Sequence, residues 1–148
     1  MKVAILQCDD VLDKFQPVFG NYPEMIIDMM VAQDSRLIFE VFDVRKNEYP
    51  KDIDDYTAYM ITGSKSSAYD SDAWITTLVH FVSRLHAREI KLFGICFGHQ
   101  IIGLALGATV EKSSKGWGVG VATNFIESKP SWVQVDGSAF NLLVSHQD

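Results

Sequence analysis

Apolar residues fall in two alternating textures along this chain. Short continuous runs occupy residues 3–6 (Val-Ala-Ile-Leu), 37–42, 56–62 and 91–96. Such runs suit strands of a parallel sheet that is buried on both faces. Between them the apolar residues recur at helical spacing. Met25, Ile26, Met29 and Met30 do so within residues 23–33, and Trp74, Leu78, Phe81, Val82 and Leu85 within residues 73–88. Ser71 or Asp72 is placed to cap the second of these helices. A third helix is predicted over residues 97–106, with Gly107 just past its end. Polar stretches at residues 47–55 and 64–72 read as loops. Beyond Ala108 the texture changes, and residues 109–111, 118–126, 132–135 and 140–145 predict short strands separated by turn residues. The expected fold is α/β: a doubly wound, mostly parallel sheet with an antiparallel β extension. No repeat, linker or low-complexity tract interrupts it, so one domain over residues 1–148 is expected.

Composition narrows the function. The chain has 13 Lys+Arg against 19 Asp+Glu, a net charge of −6, which leaves no basic face for nucleic acid. No apolar run approaches the roughly 20 residues of a membrane span. The chain starts directly on a strand-like run rather than a cleavable leader, so a cytoplasmic protein is expected. Cys8 and Cys96 stand far apart and form no disulfide framework. Neither they nor the histidines have the spacing of metal ligands.

The chemistry concentrates in Gly94-Ile-Cys96-Phe97-Gly98-His99-Gln100. A G-x-C-x-G at a strand-to-helix junction is the thiol form of the nucleophile elbow. The turn is sharp enough that side chains at Gly94 and Gly98 would strike neighbouring backbone. Cys96 would then stand at the carboxyl edge of the sheet, at a helix N-terminus that favours negative charge. The N–H of Phe97 would be aimed at an oxyanion. The plainer alternative is a buried structural thiol flanked by packing glycines. The strand before the motif and the helix after it favour the catalytic reading.

This heptapeptide, continued by Ile101-Ile-Gly-Leu-Ala-Leu-Gly107, resembles the class I glutamine amidotransferases. Ile61-Thr-Gly63-Ser64 stands where that family has its Gly-rich oxyanion loop, and Ser145-His-Gln-Asp148 is similar to its S-H-x-D segment. Ser64-Lys-Ser-Ser-Ala-Tyr-Asp70, Trp74-Ile75 and Gly116-Trp117 resemble a stand-alone subgroup that includes γ-glutamyl peptidases and GMP-synthase-like domains. The resemblance implies a flavodoxin-like amidotransferase fold and a role for each matching residue. Cys96 would attack a γ-glutamyl carbonyl, form a thioester and release ammonia or an amine. The N–H groups of Gly63 and Phe97 would bind the oxyanion. Gln100, Ser145 and Asp148 would hold the substrate, Asp148 by pairing with its ammonium group. No cofactor is implied, because the thiol carries the chemistry. The expected ligand is glutamine or a γ-glutamyl small molecule or peptide, and ammonia transfer would need a separate accepting partner.

The family pattern continues past S-H-x-D with an H-x-E pair, the base that activates the thiol and the acid that orients it. The sequence ends at Asp148 without that pair, so a fragment of a longer enzyme is expected. The other possibility is a truncated product that lacks full catalysis. His99 belongs to the heptapeptide and reads as structural, His80 and His86 as surface or packing residues, and His146 as part of S-H-x-D. Two further readings stay open: a non-catalytic binding or regulatory module of the same fold, and a thiol redox sensor at Cys96.

Cys8 reads as a buried small hydrophobe. Asp9 and Asp10 read as a solvated acidic loop. Lys65, Tyr69 and Asp70 lie in the loop after Gly63, where specificity is commonly set. Lys65 stands where many of the family carry proline, and Gly118, which Trp117 precedes, stands where relatives often carry a larger polar residue.

Overall fold

The structure is a computed structural model, and it describes residues 1–131 and 137–146. Two compact units make up the chain, Met1–Val110 and Glu111–Asp148.

The first unit is built on four parallel strands: β1 (Lys2–Gln7), β2 (Ile38–Asp43), β3 (Ala58–Ile61) and β4 (Lys91–Gly94), in the order β2-β1-β3-β4. The central strand β1 pairs with both β2 and β3, setting Leu6 beside Phe42 and Ile61. Its residues from Val3 to Gln7 are all buried, as a strand covered on both faces must be. On one face, helices α3 (Ala73–Ala87) and α4 (Phe97–Ala105) cover Ala4, Leu6, Tyr59 and Ile61. On the other, α2 (Tyr22–Val31) lays Ile26 over Val3, Ile5 and Met60. The expected doubly wound α/β architecture is therefore the one found.

The helices form where the sequence places their signals. In α2 the Asn21 side chain accepts the Tyr22 N–H, and Glu24 reaches back to the Asn21 N–H at 2.6 Å, completing a capping box. Helix α3 buries Ile75, Leu78, Phe81, Val82 and Leu85, one stripe at helical spacing. Asp72 is its N-cap residue, but no side-chain bond caps it. Helix α4 ends in a Schellman turn, with Gly107 at φ +85° and the Ala108 N–H reaching the Gly103 carbonyl at 2.9 Å. A short α1 (Gln16–Phe19) precedes α2 and was not signalled by apolar spacing.

Two expectations need correction. Residues 109–111 form no strand: the Schellman turn fixes Ala108 against α4, and Val110 packs on the helical core instead of pairing. The strand predicted to run to Cys96 stops at Gly94, because Cys96 adopts a positive φ that no strand can continue.

The second unit contains β5 (Gly118–Phe125) and β6 (Ala139–His146), an antiparallel pair in which Val119 faces Ser145. This is the predicted β extension. The strand expected over residues 132–135 lies outside the described residues. Among the described residues, no helix is long and apolar enough to cross a membrane.

Candidate active site

The site is assembled at the carboxyl ends of β1, β3 and β4. At the end of β4 the Ile95 N–H still reaches the Ile61 carbonyl at 3.0 Å. The chain then reverses into α4 within one residue. Cys96 takes φ +49° and ψ −105° as the N-cap of α4. Positions of this kind cost about 1–3 kcal/mol and persist only where their surroundings enforce them. Here two glycines allow it. A Cβ on Gly94 would lie 2.3 Å from the carbonyl carbon of Gly98, and a Cβ on Gly98 would lie 2.5 Å from the Ile61 carbonyl oxygen. Bonds from Gly98 N–H to the Ile95 carbonyl (2.9 Å) and from Gln100 N–H to the Cys96 carbonyl (3.1 Å) close the first turn. The result is an exposed cysteine on a strained, rigid turn.

The segment after β3 forms the facing wall. Gly63 stands beside Cys96: a Cβ on it would be 3.9 Å from the Cys96 Cβ. Its neighbour Thr62 is fully buried and held by three bonds. The Thr62 N–H donates to the Leu6 carbonyl (3.1 Å), its hydroxyl accepts the Cys8 N–H (2.9 Å), and that hydroxyl donates to the Gly63 carbonyl (3.0 Å). Two residues on, the Lys65 N–H donates to Asp9 Oδ2 at 2.8 Å, and the Lys65 ammonium to Asp9 Oδ1 at 3.0 Å. A cleft of about 450 Å³ opens between this segment, Cys96 and the residues Tyr22, Met25 and Ile26 of α2.

Charge organises the rim. Arg45 grips Asp43 through two bonds of 2.8 Å and pairs with Asp10 at 2.7 Å. Asp10 also accepts from Gln7 and Asn21, each at 2.7 Å, so the cap of α2 is tied to the end of β1. The Arg45 guanidinium holds the Asp43 carboxyl down to about 2, against burial and with help from Lys46. Burial pushes the Asp9 carboxyl up, but the bonds from Lys65 and Asp10 outweigh it, and the net shift is downward. Burial pushes the Cys8 thiol up to about 12, as befits a fully buried cysteine whose surroundings penalise charge.

The structure thus brings Cys96, Gly63 and Phe97 together. Phe97 is buried, its ring against that of Trp74 with centroids 5.6 Å apart. Gln100 is half-buried on α4, one turn after Cys96. Ser145 lies exposed on β6 in the second unit, and Asp148 lies outside the described residues. The expectation of a solvated Asp9 is corrected, since this residue is 4% exposed and its carboxylate is bonded to the loop after β3. Sequence reading missed the anchoring roles of Asp9 and Thr62. The available signal was a polar residue within two positions of the carboxyl end of each of two apolar strands, at the edge where parallel sheets place their sites. Among the described residues, no group of three or more His, Cys, Asp or Glu is arranged to hold a metal ion.

Comparison with known proteins bears on this arrangement. The family model for class-I glutamine amidotransferases matches residues 19–148. A glutamine amidotransferase-like protein of Schizosaccharomyces pombe is 33% identical over 129 residues, covering 79% of this chain and 52% of that protein. Gamma-glutamyl peptidase 5 of Arabidopsis thaliana is 36% identical over 105 residues, covering 70% of this chain and 41% of the relative. The crystal structure of a glutamine amidotransferase from Thermotoga maritima superposes with a TM-score of 0.74 at 18% identity, covering 98% of this chain and 60% of that one. This chain belongs to the class-I glutamine amidotransferase family. It spans about half the length of the S. pombe relative.

Proposed function

We propose that this chain carries the nucleophile of an enzyme that hydrolyses γ-glutamyl amides, with Cys96 forming a γ-glutamyl thioester. The observation that carries this reading is the backbone of Cys96: a positive φ, between two glycines that leave no room for a Cβ, on an exposed residue beside Gly63. A purely structural cysteine has no need of such strain.

In this reading the Cys96 sulfur attacks the γ-carbonyl carbon, and the carbonyl oxygen becomes an oxyanion facing the N–H groups of Gly63 and Phe97. Collapse of the tetrahedral species expels ammonia or an amine, which takes up a proton as it leaves. Water then attacks the thioester, releasing glutamate and returning a proton to the Cys96 sulfur. Gln100, Ser145 and Asp148 hold the amino-acid end of the substrate. The family match runs across the boundary between the two units, which supports treating residues 1–148 as parts of one catalytic domain. Activation of the thiol calls for a general base, the role that the family pattern gives to a His-Glu pair. Ammonia would pass to an acceptor on a separate partner, and the enzyme would work in the cytoplasm without a cofactor.

The test is labelling with a glutamine analogue that carries a diazoketone in place of its side-chain amide. The thiol displaces dinitrogen and forms a carbon–sulfur bond. The reading predicts one adduct, on Cys96, suppressed by excess glutamine. Labelling that glutamine does not suppress would contradict it and leave a thiol without a γ-glutamyl site, as the redox-sensor reading requires.

A further inference from the structure

We infer that Asp9 is a positioning residue for the oxyanion-binding segment, fixing the main chain of residues 63–65 beside Cys96 through the Lys65 N–H. The inference rests on the thioester chemistry proposed for Cys96.

The argument is geometric. Gly63 can present its N–H to a substrate only if the backbone on both sides of it is held. On one side Thr62 is bonded to Leu6 and Cys8. On the other side Asp9 Oδ2 accepts the Lys65 N–H at 2.8 Å. Both anchors come from the end of β1, which is the most deeply buried strand of the sheet. The loop is therefore referenced to the rigid centre of the fold. The second Asp9 oxygen is occupied as well, by the Asp10 N–H at 2.9 Å and the Lys65 ammonium at 3.0 Å.

The chemistry requires a carboxylate. Asp9 has donors at both oxygens, and an amide has one acceptor and would turn its NH2 toward a donor. A buried charge is tolerated only when it is paired and bonded, as this one is. The Lys65 side chain is 80% exposed, so its ion pair is screened by water, and the main-chain bond is the one that fixes position.

Two reactions of one thiol separate positioning from folding. Acylation of Cys96 by a γ-glutamyl p-nitrophenyl ester passes through an oxyanion and releases p-nitrophenolate. Alkylation by iodoacetamide displaces iodide and forms no oxyanion. Both reactions are run at one pH and use the same thiolate, so its ionised fraction cancels in their ratio. The ratio of the two rates, measured on the full chain against free cysteine, reads what the site adds to acylation beyond the reactivity of the thiol, and the variants at Asp9 test the oxyanion segment's share of it. Asp9→Asn should lower that ratio about tenfold or more. Asp9→Ser, which buries no charge and has a single acceptor oxygen, should behave as Asp9→Asn. Continued protection of Cys8 from iodoacetamide reports that each variant is folded. In the unsubstituted chain the Lys65 amide should exchange slowly with deuterium, although it lies in a loop. A raised ratio that Asp9→Asn and Asp9→Ser leave unchanged overturns this inference alone, as does a freely exchanging Lys65 amide. A ratio no higher than that of free cysteine in the unsubstituted chain overturns the thioester reading and this inference with it.

Discussion

A methyl group on Gly98 would lie 2.5 Å from the carbonyl oxygen of Ile61. That contact sets how closely α4 approaches β3, and so where Cys96 stands relative to Gly63. Gly98→Ala must push the helix off the strand. It should destabilise the protein by about 1–3 kcal/mol, read as a lower urea midpoint at unchanged slope. An unchanged midpoint would mean that α4 is free to shift and that the elbow is not rigid.

The strain at Cys96 should be measurable by itself. Cys96→Ala keeps a Cβ at φ +49°, and Cys96→Gly removes it. Both lose the thiol. The glycine variant should be the more stable of the two by about 1 kcal/mol, despite the greater freedom of its unfolded chain. Equal stabilities would show that the turn carries no strain.

The two cysteines should differ sharply toward iodoacetamide at neutral pH. Cys8 is fully buried, with its thiol pushed up to about 12, and Cys96 is exposed. Intact mass of the native protein should show a single adduct, and peptide mapping should place it at Cys96. A second adduct appearing at a similar rate would contradict the packing around the end of β1.

Acid should loosen the rim before the core. The Asp43 carboxyl is held at about 2, against an ordinary value of 3.8, chiefly by Arg45. A depressed carboxyl contributes stability above its unfolded value and loses it as pH falls toward its folded one. For Asp43 that is about 2 kcal/mol, lost between about pH 4 and pH 2. Asp9 and Asp10, also shifted downward, add in the same direction. Asp43→Asn should therefore be less stable at pH 6 and show a flatter decline on acidification, followed by urea unfolding at each pH. A decline as steep as that of the unsubstituted protein would remove Asp43 from the account.

Much of this was legible in the chain itself, for identifiable reasons. The strand at Val3, Ala4, Ile5 and Leu6 shows as a run because both its faces are buried. The elbow shows because only glycine fits at 94 and 98, so steric necessity is written as residue type. Asp9 was misread because its partner, Lys65, is 56 residues away, and nothing local distinguishes a buried carboxylate from a solvated one. Thr62 was passed over for the same reason, its bonds reaching back to Leu6 and Cys8. Residues 109–111 have strand-like composition, but Val110 is claimed by the helical layer, a tertiary preference that outweighs local propensity. Asp148 was assigned through a motif alone, and it lies outside the described residues.

The central claim is that Cys96 forms a thioester with a γ-glutamyl group. The most direct measurement is mass analysis of the chain after brief exposure to a γ-glutamyl p-nitrophenyl ester, quenched in acid and digested. The account predicts a γ-glutamyl group on the peptide containing Cys96, released by hydroxylamine and absent from Cys96→Ala. Acylation confined to lysines, or equal in Cys96→Ala, would contradict it.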